Sequence, residues 1–286
     1  MNNALEISHL TKDYGAFKLD DVSLTVPGGT IMGLIGENGA GKSTTIKCIL
    51  NLIRRDEGTI TVFGMDNLQQ EREVKEQTGV VLDEVLFHDM LRPRQVGKIL
   101  SGLYPNWDEA LFAHYLEKFG LTGKKTVKDF SRGMKMKLAI AAAFAAKPRL
   151  LILDEATSGL DPVVRDEILD EFLAFIQDED HAILISSHIT SDLEKVADYI
   201  TYLHNGRVAV SGAKDELLDT YGKLVCSKTD LERVDQSLLA GKRVGQFGCE
   251  ALVKDRHAFA RRYPALTVDP VTLEDIMVFT GKGDAQ

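Results

Sequence analysis

The sequence predicts an α/β fold, in which a parallel sheet is covered by helices on both faces. Short apolar segments, such as 150–153 and 182–185, alternate with helical segments. From about residue 94 to 147 the pattern is mostly helical, so this third should form an inserted helical subdomain. A change in composition near Tyr221 predicts a small C-terminal α/β annex.

The first elements should be strands. Residues 21–26 alternate polar and apolar side chains, as a half-buried strand does. A turn at Pro27-Gly28-Gly29 leads to a short apolar strand over 30–35. A glycine-rich loop, a helix over about 42–52 and a strand over 59–63 should follow.

In the helical third, Asn106 or Asp108 can cap a helix, and an alanine-rich helix over about 131–146 must end before Pro148. Strands and helices then alternate again. Pro162 suits the first turn of a helix, and a further helix should begin near Thr190. Segments 199–203 and 208–210 should form a hairpin, because Asn205-Gly206 suits a type I′ turn.

The chain therefore divides into a main domain over 1–220, with the helical subdomain at about 84–147, and an accessory domain over 221–286. Two segments of the accessory domain resemble helix capping boxes, Thr229 to Glu232 and Thr272 to Asp275. Between them, 244–253 is a strand-like stretch.

Composition narrows the classes of function. The chain has 286 residues and a formal net charge of −9, which argues against a nucleic-acid partner because phosphate contacts need a basic surface. Three widely spaced cysteines indicate reduced thiols rather than a disulfide framework. No secretory signal or membrane-spanning run is visible, so a role at a membrane would require another chain.

Residues 36–44 read GENGAGKST and fit the phosphate-loop pattern G-x-x-x-x-G-K-[ST]. Glycines let several backbone N–H groups point into one hollow, and the following helix directs its positive end there. Lys42 can reach the β- and γ-phosphates, and Ser43 can offer its hydroxyl to Mg²⁺. The pattern alone does not choose among kinases, GTPases and transport ATPases.

Two carboxylates, Asp154 and Glu155, follow the apolar strand at 150–153. Ligands bind at such strand ends, where Asp154 suits Mg²⁺ and Glu155 suits activation of the attacking water. His188 ends another buried strand near the same sheet edge and can reach a γ-phosphate. Without the phosphate loop, solvated carboxylates and a structural histidine would explain these residues equally well.

Taken in order, these motifs make residues 4–220 resemble the ABC ATPase family. Between the phosphate loop and LLILDE (150–155) lies FSRGMKMKL (130–138), which is similar to the family signature LSGGQ. SGLD (158–161) and His188 complete the set. The resemblance implies a phosphate-loop NTPase core with an antiparallel β subdomain and an inserted helical subdomain.

The resemblance also implies residue roles. Tyr14 matches the aromatic residue that stacks on adenine, unless it is a simple strand-end tyrosine. ATP and Mg²⁺ would be bound by a set within the phosphate loop: Gly36, Asn38, Gly39, Ala40, Gly41, Lys42, Ser43 and Thr44. Asp154 would serve Mg²⁺, while Lys42, Glu155 and His188 would be catalytic. Ser131, Arg132 and Gly133 would contact the ATP of a second cassette, and Asp161 would make a dimer contact.

Three positions depart from the family pattern. Asp83 stands where a glutamine usually links Mg²⁺ to the helical insertion, and it too can bind Mg²⁺. Met134 replaces the usual Gln or Glu of the signature, and Ala156 replaces a common proline.

The chain holds one cassette, and it resembles ATP-hydrolysing subunits of bacterial type-2-class exporters of peptides, antibiotics or lipid-linked glycans. Such a subunit would act at the cytoplasmic face of the membrane, as a homodimer or heterodimer of cassettes, and would drive a separate permease. The groove beside residues 83–94 would receive a permease helix, although an ordinary surface loop explains 87–93 as well. The alternative is a soluble ABC ATPase acting on ribosomes or another machine.

Overall fold

The computed structural model describes residues 3–84, 87–246 and 248–281. Its strands are β1 (Asn3–Asp13), β2 (Lys18–Pro27), β3 (Ile31–Ile35), β4 (Glu57–Val62), β5 (Met65–Asp66), β6 (Thr78–Val81), β7 (Leu150–Asp154), β8 (Ala182–Ser187), β9 (Tyr199–His204), β10 (Arg207–Ala213), β11 (Gly222–Cys226), β12 (Leu239–Val244), β13 (Cys249–Val253) and β14 (Val268–Asp269). Its helices are α1 (Lys42–Ile49), α2 (Glu71–Glu76), α3 (Pro93–Leu100), α4 (Glu109–Lys118), α5 (Arg132–Ala145), α6 (Pro162–Phe175), α7 (Thr190–Val196), α8 (Lys214–Thr220), α9 (Lys228–Arg233), α10 (Arg256–Arg262) and α11 (Leu273–Thr280).

The central sheet has the strand order β10-β9-β3-β8-β7-β6, and its strands from β9 to β6 run parallel. Every residue of β3, β7 and β8 is buried, as expected for strands covered on both faces. The parallel α/β prediction is therefore confirmed. Because the strands run parallel, the carboxyl ends of β3, β7 and β8 meet at one edge of the sheet, which is where the predicted site residues follow.

A second, antiparallel sheet has the order β2-β1-β4-β5. Its inner residues share one hydrophobic cluster with α1 and with one face of the central sheet, so α1 is held between the two sheets. Helix α1 ends at Ile49 rather than near residue 52, and Asn51 beyond it adopts a positive φ of 51°.

The helical third consists of α3, α4 and α5. Asp108, rather than Asn106, caps α4, because its carboxylate accepts the backbone N–H of Leu111 at 2.9 Å. The alanine-rich α5 is buried along most of its length, in the same hydrophobic cluster as the central sheet. The predicted hairpin also forms: β9 and β10 pair antiparallel, with φ of 47° at Asn205 and 77° at Gly206.

The annex contains a third sheet, with the order β12-β13-β11-β14. The prediction of a single strand over 244–253 is wrong, because the chain turns between β12 and β13, where the N–H of Gly245 bonds to the carbonyl of Gly248 at 2.8 Å. Phe247 lies outside the described residues.

Of the two predicted capping boxes, the one from Thr272 to Asp275 is confirmed at the start of α11. The one beginning at Thr229 is wrong. Ser227, two residues earlier, caps α9 by accepting the N–H of Asp230.

Candidate active site

The phosphate loop runs from the end of β3 to the start of α1 and closes around the side chain of Lys42. That side chain is buried, and its ammonium donates to the carbonyl oxygen of Gly36 at 2.7 Å. Gly41 adopts a φ of 113°, and a Cβ there would lie 2.4 Å from a methyl carbon of Leu19. A Cβ at Gly36 would lie 2.6 Å from the carbonyl oxygen of Leu203. Both positions therefore require glycine.

Beside this loop is a cavity of about 400 Å³ at the N-terminus of α1. Its lining residues are Phe17, Glu37, Asn38, Gly39, Gly41, Lys42, Ser43, Thr44, Asp83 and Glu155. The first turn of α1 holds no acidic residue, so its free N–H groups and the Lys42 ammonium give this end of the cavity a positive potential. The arrangement suits a polyphosphate.

The acidic pair lies at the carboxyl end of β7, where Asp154 is the last residue of the strand and Glu155 comes next. The neighbouring strand β8 fixes both. In this parallel pairing Asp154 lies opposite Ser186, whose hydroxyl donates to Asp154 Oδ1 at 2.5 Å. The backbone N–H of Glu155 donates to the Ser186 carbonyl oxygen at 3.1 Å. Glu155 adopts a φ of 52°, an uncommon conformation for a residue with a side chain and one that clusters at functional sites.

The Glu155 carboxylate lies between Lys42 and His188. His188 Nδ1 is 2.7 Å from Oε2, within hydrogen-bond distance. Lys42 Nζ is 3.3 Å from Oε1 but is not aligned for a hydrogen bond, and this buried oxygen has no hydrogen-bond partner. Oε1 thus has an ion-pair contact with Lys42 but accepts no hydrogen bond, so its position favours a hydrogen-bond donor on a ligand in the cavity. The structure thus brings the three predicted catalytic residues together.

Mg²⁺ is usually bound through one or two carboxylates together with substrate phosphates. Ser43 and Asp83 line the cavity, and Asp154 is the last residue of β7, the strand next to β8, at the same edge of the sheet. Among the described residues, no three metal-ligating side chains converge into a cage, so Mg²⁺ would need the phosphates as additional ligands. A nucleotide bound with Mg²⁺ fits these groups, namely the Ser43 hydroxyl, the carboxylates of Asp83 and Asp154, and the Glu155 Oε1 that accepts no hydrogen bond.

The signature residues lie elsewhere. Ser131, Gly133 and Asp161 are not among the residues that line the cavity. Ser131 caps α5 by accepting the N–H of Met134 at 3.3 Å, and Asp161 caps α6 by accepting the N–H of Val164 at 3.1 Å. Both side chains therefore cap helices within this chain.

Arg132 and Asp83 form an ion pair, with Nη2 donating to Oδ1 at 2.5 Å. Tyr14 is exposed and does not line the cavity, whereas Phe17 does. The two aromatic residues share one turn, in which the N–H of Tyr14 donates to the carbonyl of Phe17 at 2.9 Å. The role of Tyr14 toward adenine stays a prediction.

Sequence reasoning missed two residues of the site, Phe17 and Ser186. Phe17 lies three positions after Tyr14, and Gly15 between them indicates a turn. That turn was the signal that Phe17 could lie close to Tyr14. Ser186 lies two residues before His188, but its contact with Asp154 depends on which strands are neighbours and in which register they pair.

Comparison with known proteins agrees with this geometry. The sequence model of the ABC transporter family matches residues 19–158. The ABC transporter ATP-binding protein YtrB of Bacillus subtilis is 30% identical over 289 residues, which covers 97% of this chain and 99% of that protein. This chain belongs to the ABC transporter ATP-binding protein family.

Two further similarities extend over the ABC cassette. The bacitracin transport ATP-binding protein BcrA of Bacillus licheniformis is 35% identical over 211 residues, or 73% of this chain and 69% of that protein. A solved ATP-binding subunit of an ABC transporter superposes with a TM-score of 0.69 and 31% identity, over 75% of this chain and 91% of that one.

As a member of this family, the chain binds ATP and hydrolyses it. The fold prediction, with an NTPase core, an antiparallel β subdomain and a helical insertion, is confirmed. No helix in the described part of the chain has the length and apolar character needed to cross a membrane.

Proposed function

We propose that two cassettes associate head to tail around two ATP molecules and drive a separate permease that exports a peptide, an antibiotic or a lipid-like molecule. The observation that carries this proposal is that Ser131, Gly133 and Asp161 do not line this chain's own nucleotide cavity. In this arrangement the signature of each chain completes the nucleotide site of its partner, which is a second copy or a related chain.

In this proposal the nucleotide site works through the side chains already described. Lys42 holds the phosphates, because its ammonium is fixed by the Gly36 carbonyl at the mouth of α1. Glu155 takes the proton of the attacking water through Oε1, which accepts no hydrogen bond in this structure, while His188 holds Oε2. Mg²⁺, held by Ser43 and Asp154 with the phosphates, would supply charge neutralisation for the leaving group.

The relatives support an exporter. BcrA is named for bacitracin transport, and a lantibiotic transport ATP-binding protein, SrtF of Streptococcus pyogenes, is 35% identical over 74% of this chain. These names favour a peptide or antibiotic as substrate and a position at the cytoplasmic face of the membrane. They favour it over the alternative of a soluble ABC ATPase acting on ribosomes, because all of them are transport proteins.

A groove of about 830 Å³ suits a permease helix. It lies between α2 and the segment after α3, and Leu103 on its wall is 71% exposed. Charged side chains of α2, including Glu71 and Lys75, form the opposite wall. The groove predicted from the sequence lay beside residues 83–94, of which Val85 and Leu86 fall outside the described residues. We propose that the permease binds the groove between α2 and the segment after α3.

The proposal is tested by isolating the chain from membranes of its native host in mild detergent and identifying proteins that co-purify in stoichiometric amount. We expect a polytopic membrane protein with the wild-type chain and its loss with Leu103→Asp, because a charge in an apolar contact must be desolvated. Val225→Asp, at another exposed apolar residue, in the annex, should keep the partner. Recovery of the chain with ribosomes would contradict the proposed function. A membrane partner that still co-purifies with Leu103→Asp would contradict the proposed docking site.

A further inference from the structure

Asp83 and Arg132 connect the nucleotide cavity to the signature within one chain. Asp83 lines the cavity, while Arg132 is the first residue of α5 and lies next to Ser131. Their side chains are 56% and 51% exposed. An ion pair with this exposure contributes little to stability, so stabilising the fold does not explain the pair.

The position of Arg132 is unfavourable for a cation on electrostatic grounds. Positive charge is disfavoured at a helix N-terminus, and the first turn of α5 contains no acidic residue. Asp83 supplies the missing negative charge from another segment. In turn, Arg132 offsets a carboxylate that would otherwise repel the phosphates of a bound nucleotide.

The loop after β6 is also attached to the segment before the signature at points beyond this pair. The N–H of Val127 donates to the carbonyl of Leu91, and the N–H of Lys128 donates to that of Asp89, both at 2.9 Å. Lys135 Nζ lies 3.8 Å from the Asp89 carboxylate. Residues 89–91 of the loop are thus joined by backbone bonds to the segment that precedes α5, and Asp83, earlier in the same loop, lines the cavity.

Arg132 contacts a third segment as well. A Cβ built on Gly159 would lie 3.3 Å from Arg132 Nη1, so the guanidinium packs directly against the backbone of SGLD. Gly159 has a φ of 68°, which favours glycine at this point of close approach. The guanidinium therefore lies between the acidic residue of the cavity wall and the segment that ends in Asp161.

We propose that Asp83 is a positioning residue that orients Arg132, so that filling of one chain's cavity is coupled to the signature that faces the partner's nucleotide. The coupling rests on the proposed head-to-tail arrangement. In the absence of the pair, Arg132 is free to turn away from the partner's phosphates, and the Asp83 charge acts on the chain's own nucleotide unopposed. The pair thus explains why an aspartate replaces glutamine at this position.

The test is a double-mutant cycle with Asp83→Asn, Arg132→Gln and the double variant, measuring kcat and KM for MgATP. If the pair couples the two sites, each single variant raises KM. The KM of the double variant is then no higher than that of the poorer single variant. It is about tenfold lower than the value expected if the two single effects multiplied. The exchange Asp83→Arg with Arg132→Asp should restore part of the loss. Raising the salt concentration should raise KM more in the wild type than in Asp83→Asn, because screening also weakens the exposed pair that only the wild type has.

The control is Arg262→Gln, which breaks a similarly exposed pair with Asp235 in the annex and should leave KM unchanged. Single effects on KM that multiply in the double variant would overturn the proposal. A need for more Mg²⁺ in Asp83→Asn alone would also overturn it and would make Asp83 a metal ligand instead. Each variant is also tested for ATP-driven dimerisation in a Glu155→Gln background. If the parent Glu155→Gln protein stays monomeric with ATP, the head-to-tail arrangement is what fails, whatever the cycle shows.

Discussion

Ser186 lies fully buried at the end of β8, and it contacts both residues of the acidic pair. Its hydroxyl donates to Asp154, and its backbone carbonyl accepts the N–H of Glu155. A group of this kind has no chemistry of its own, but it fixes the orientation of residues that do. Partners that orient metal ligands typically matter about 10–100-fold for affinity or activity.

We expect Ser186→Ala to require a higher Mg²⁺ concentration for hydrolysis, by about 10–100-fold, with a smaller effect on nucleotide binding measured without the metal. The reason is that the Asp154 carboxylate loses its donor and is free to rotate. The measurement is ATPase rate against free Mg²⁺ at saturating ATP.

Thr201→Val is the matched control for this variant. Thr201 is also fully buried on a strand of the same sheet, and its hydroxyl bonds to Ser211 at 2.9 Å, away from the nucleotide cavity. It should lower the free energy of unfolding without changing the Mg²⁺ dependence. Equal Mg²⁺ dependence in Ser186→Ala and the wild type would show that Asp154 does not need this donor.

At this scale the sequence was sufficient for residues whose role follows from a local motif. Lys42, Glu155 and His188 were predicted from the phosphate loop and from strand ends, and the structure brings them into contact. Ser186 could not be predicted in the same way, because its role depends on the register that places it opposite Asp154. A parallel register joins residues distant in the chain, and no local pattern reports it.

Among the elements, α11 joins the annex to the cassette. Its apolar residues, including Ile276 and Phe279, belong to the same hydrophobic cluster as Leu193 and Val196 of α7. The N–H of Leu273 donates to Glu194 of α7 at 2.7 Å. Because α7 begins two residues after His188, the packing of α11 bears on the helix that follows this histidine.

Asp275 holds the start of α11 and also bonds to the Lys223 ammonium at 2.9 Å. Burial raises the pKa of Asp275, but hydrogen bonds from Lys223 and Thr272 outweigh this, so the pKa lies below its ordinary value. A carboxylate with a lowered pKa stabilises the fold above its unfolded pKa of about 3.9, and this contribution is lost as the pH falls through the folded value.

We therefore expect Asp275→Asn to lower the free energy of unfolding by about 1–3 kcal/mol at pH 7, and the difference from wild type to shrink below about pH 4. Urea unfolding of the whole chain at both pH values measures this. Glu274→Gln, at an exposed neighbour outside the capping box, is the control and should have little effect. A difference that persists at low pH would mean that the carboxylate charge is not the source of the stabilisation.

The elements also show where pattern reasoning ends. Strands covered on both faces and the Asn205-Gly206 hairpin were predictable, because burial and positive φ leave clear sequence signals. The stretch 244–253 is strand-like in composition, but it contains Gly245 and Gly248, and glycine is typical of a turn between two strands. The helix cap at Ser227 was missed because Thr229 to Glu232, which begins two residues later, also fits the capping-box pattern.

At the scale of the whole molecule, the distribution of the site residues is the feature to explain. The cavity is built by the phosphate loop, Asp83 and Glu155, whereas Ser131 and Gly133 lie outside it. A Cβ on Gly133 would lie 3.7 Å from side-chain carbons of Leu160 and Val164 and 4.0 Å from the Ser131 hydroxyl oxygen, which are ordinary contacts. Packing within this chain therefore does not require glycine at 133, and a partner's nucleotide approaching closely is a sufficient reason for it.

We expect Glu155→Gln to bind ATP and to hydrolyse it about 10²–10⁴-fold more slowly, and so to remain as an ATP-bound dimer in sedimentation experiments. Adding Gly133→Asp should abolish this dimer, because a carboxylate would then face the partner's phosphates and like charges at an interface cost several kcal/mol. Nucleotide binding to the chain's own cavity should persist in the double variant, since residue 133 does not line it. A Glu155→Gln protein with full turnover would remove Glu155 from its assigned role, and a dimer that survives Gly133→Asp would place the signature away from the nucleotide of the second chain.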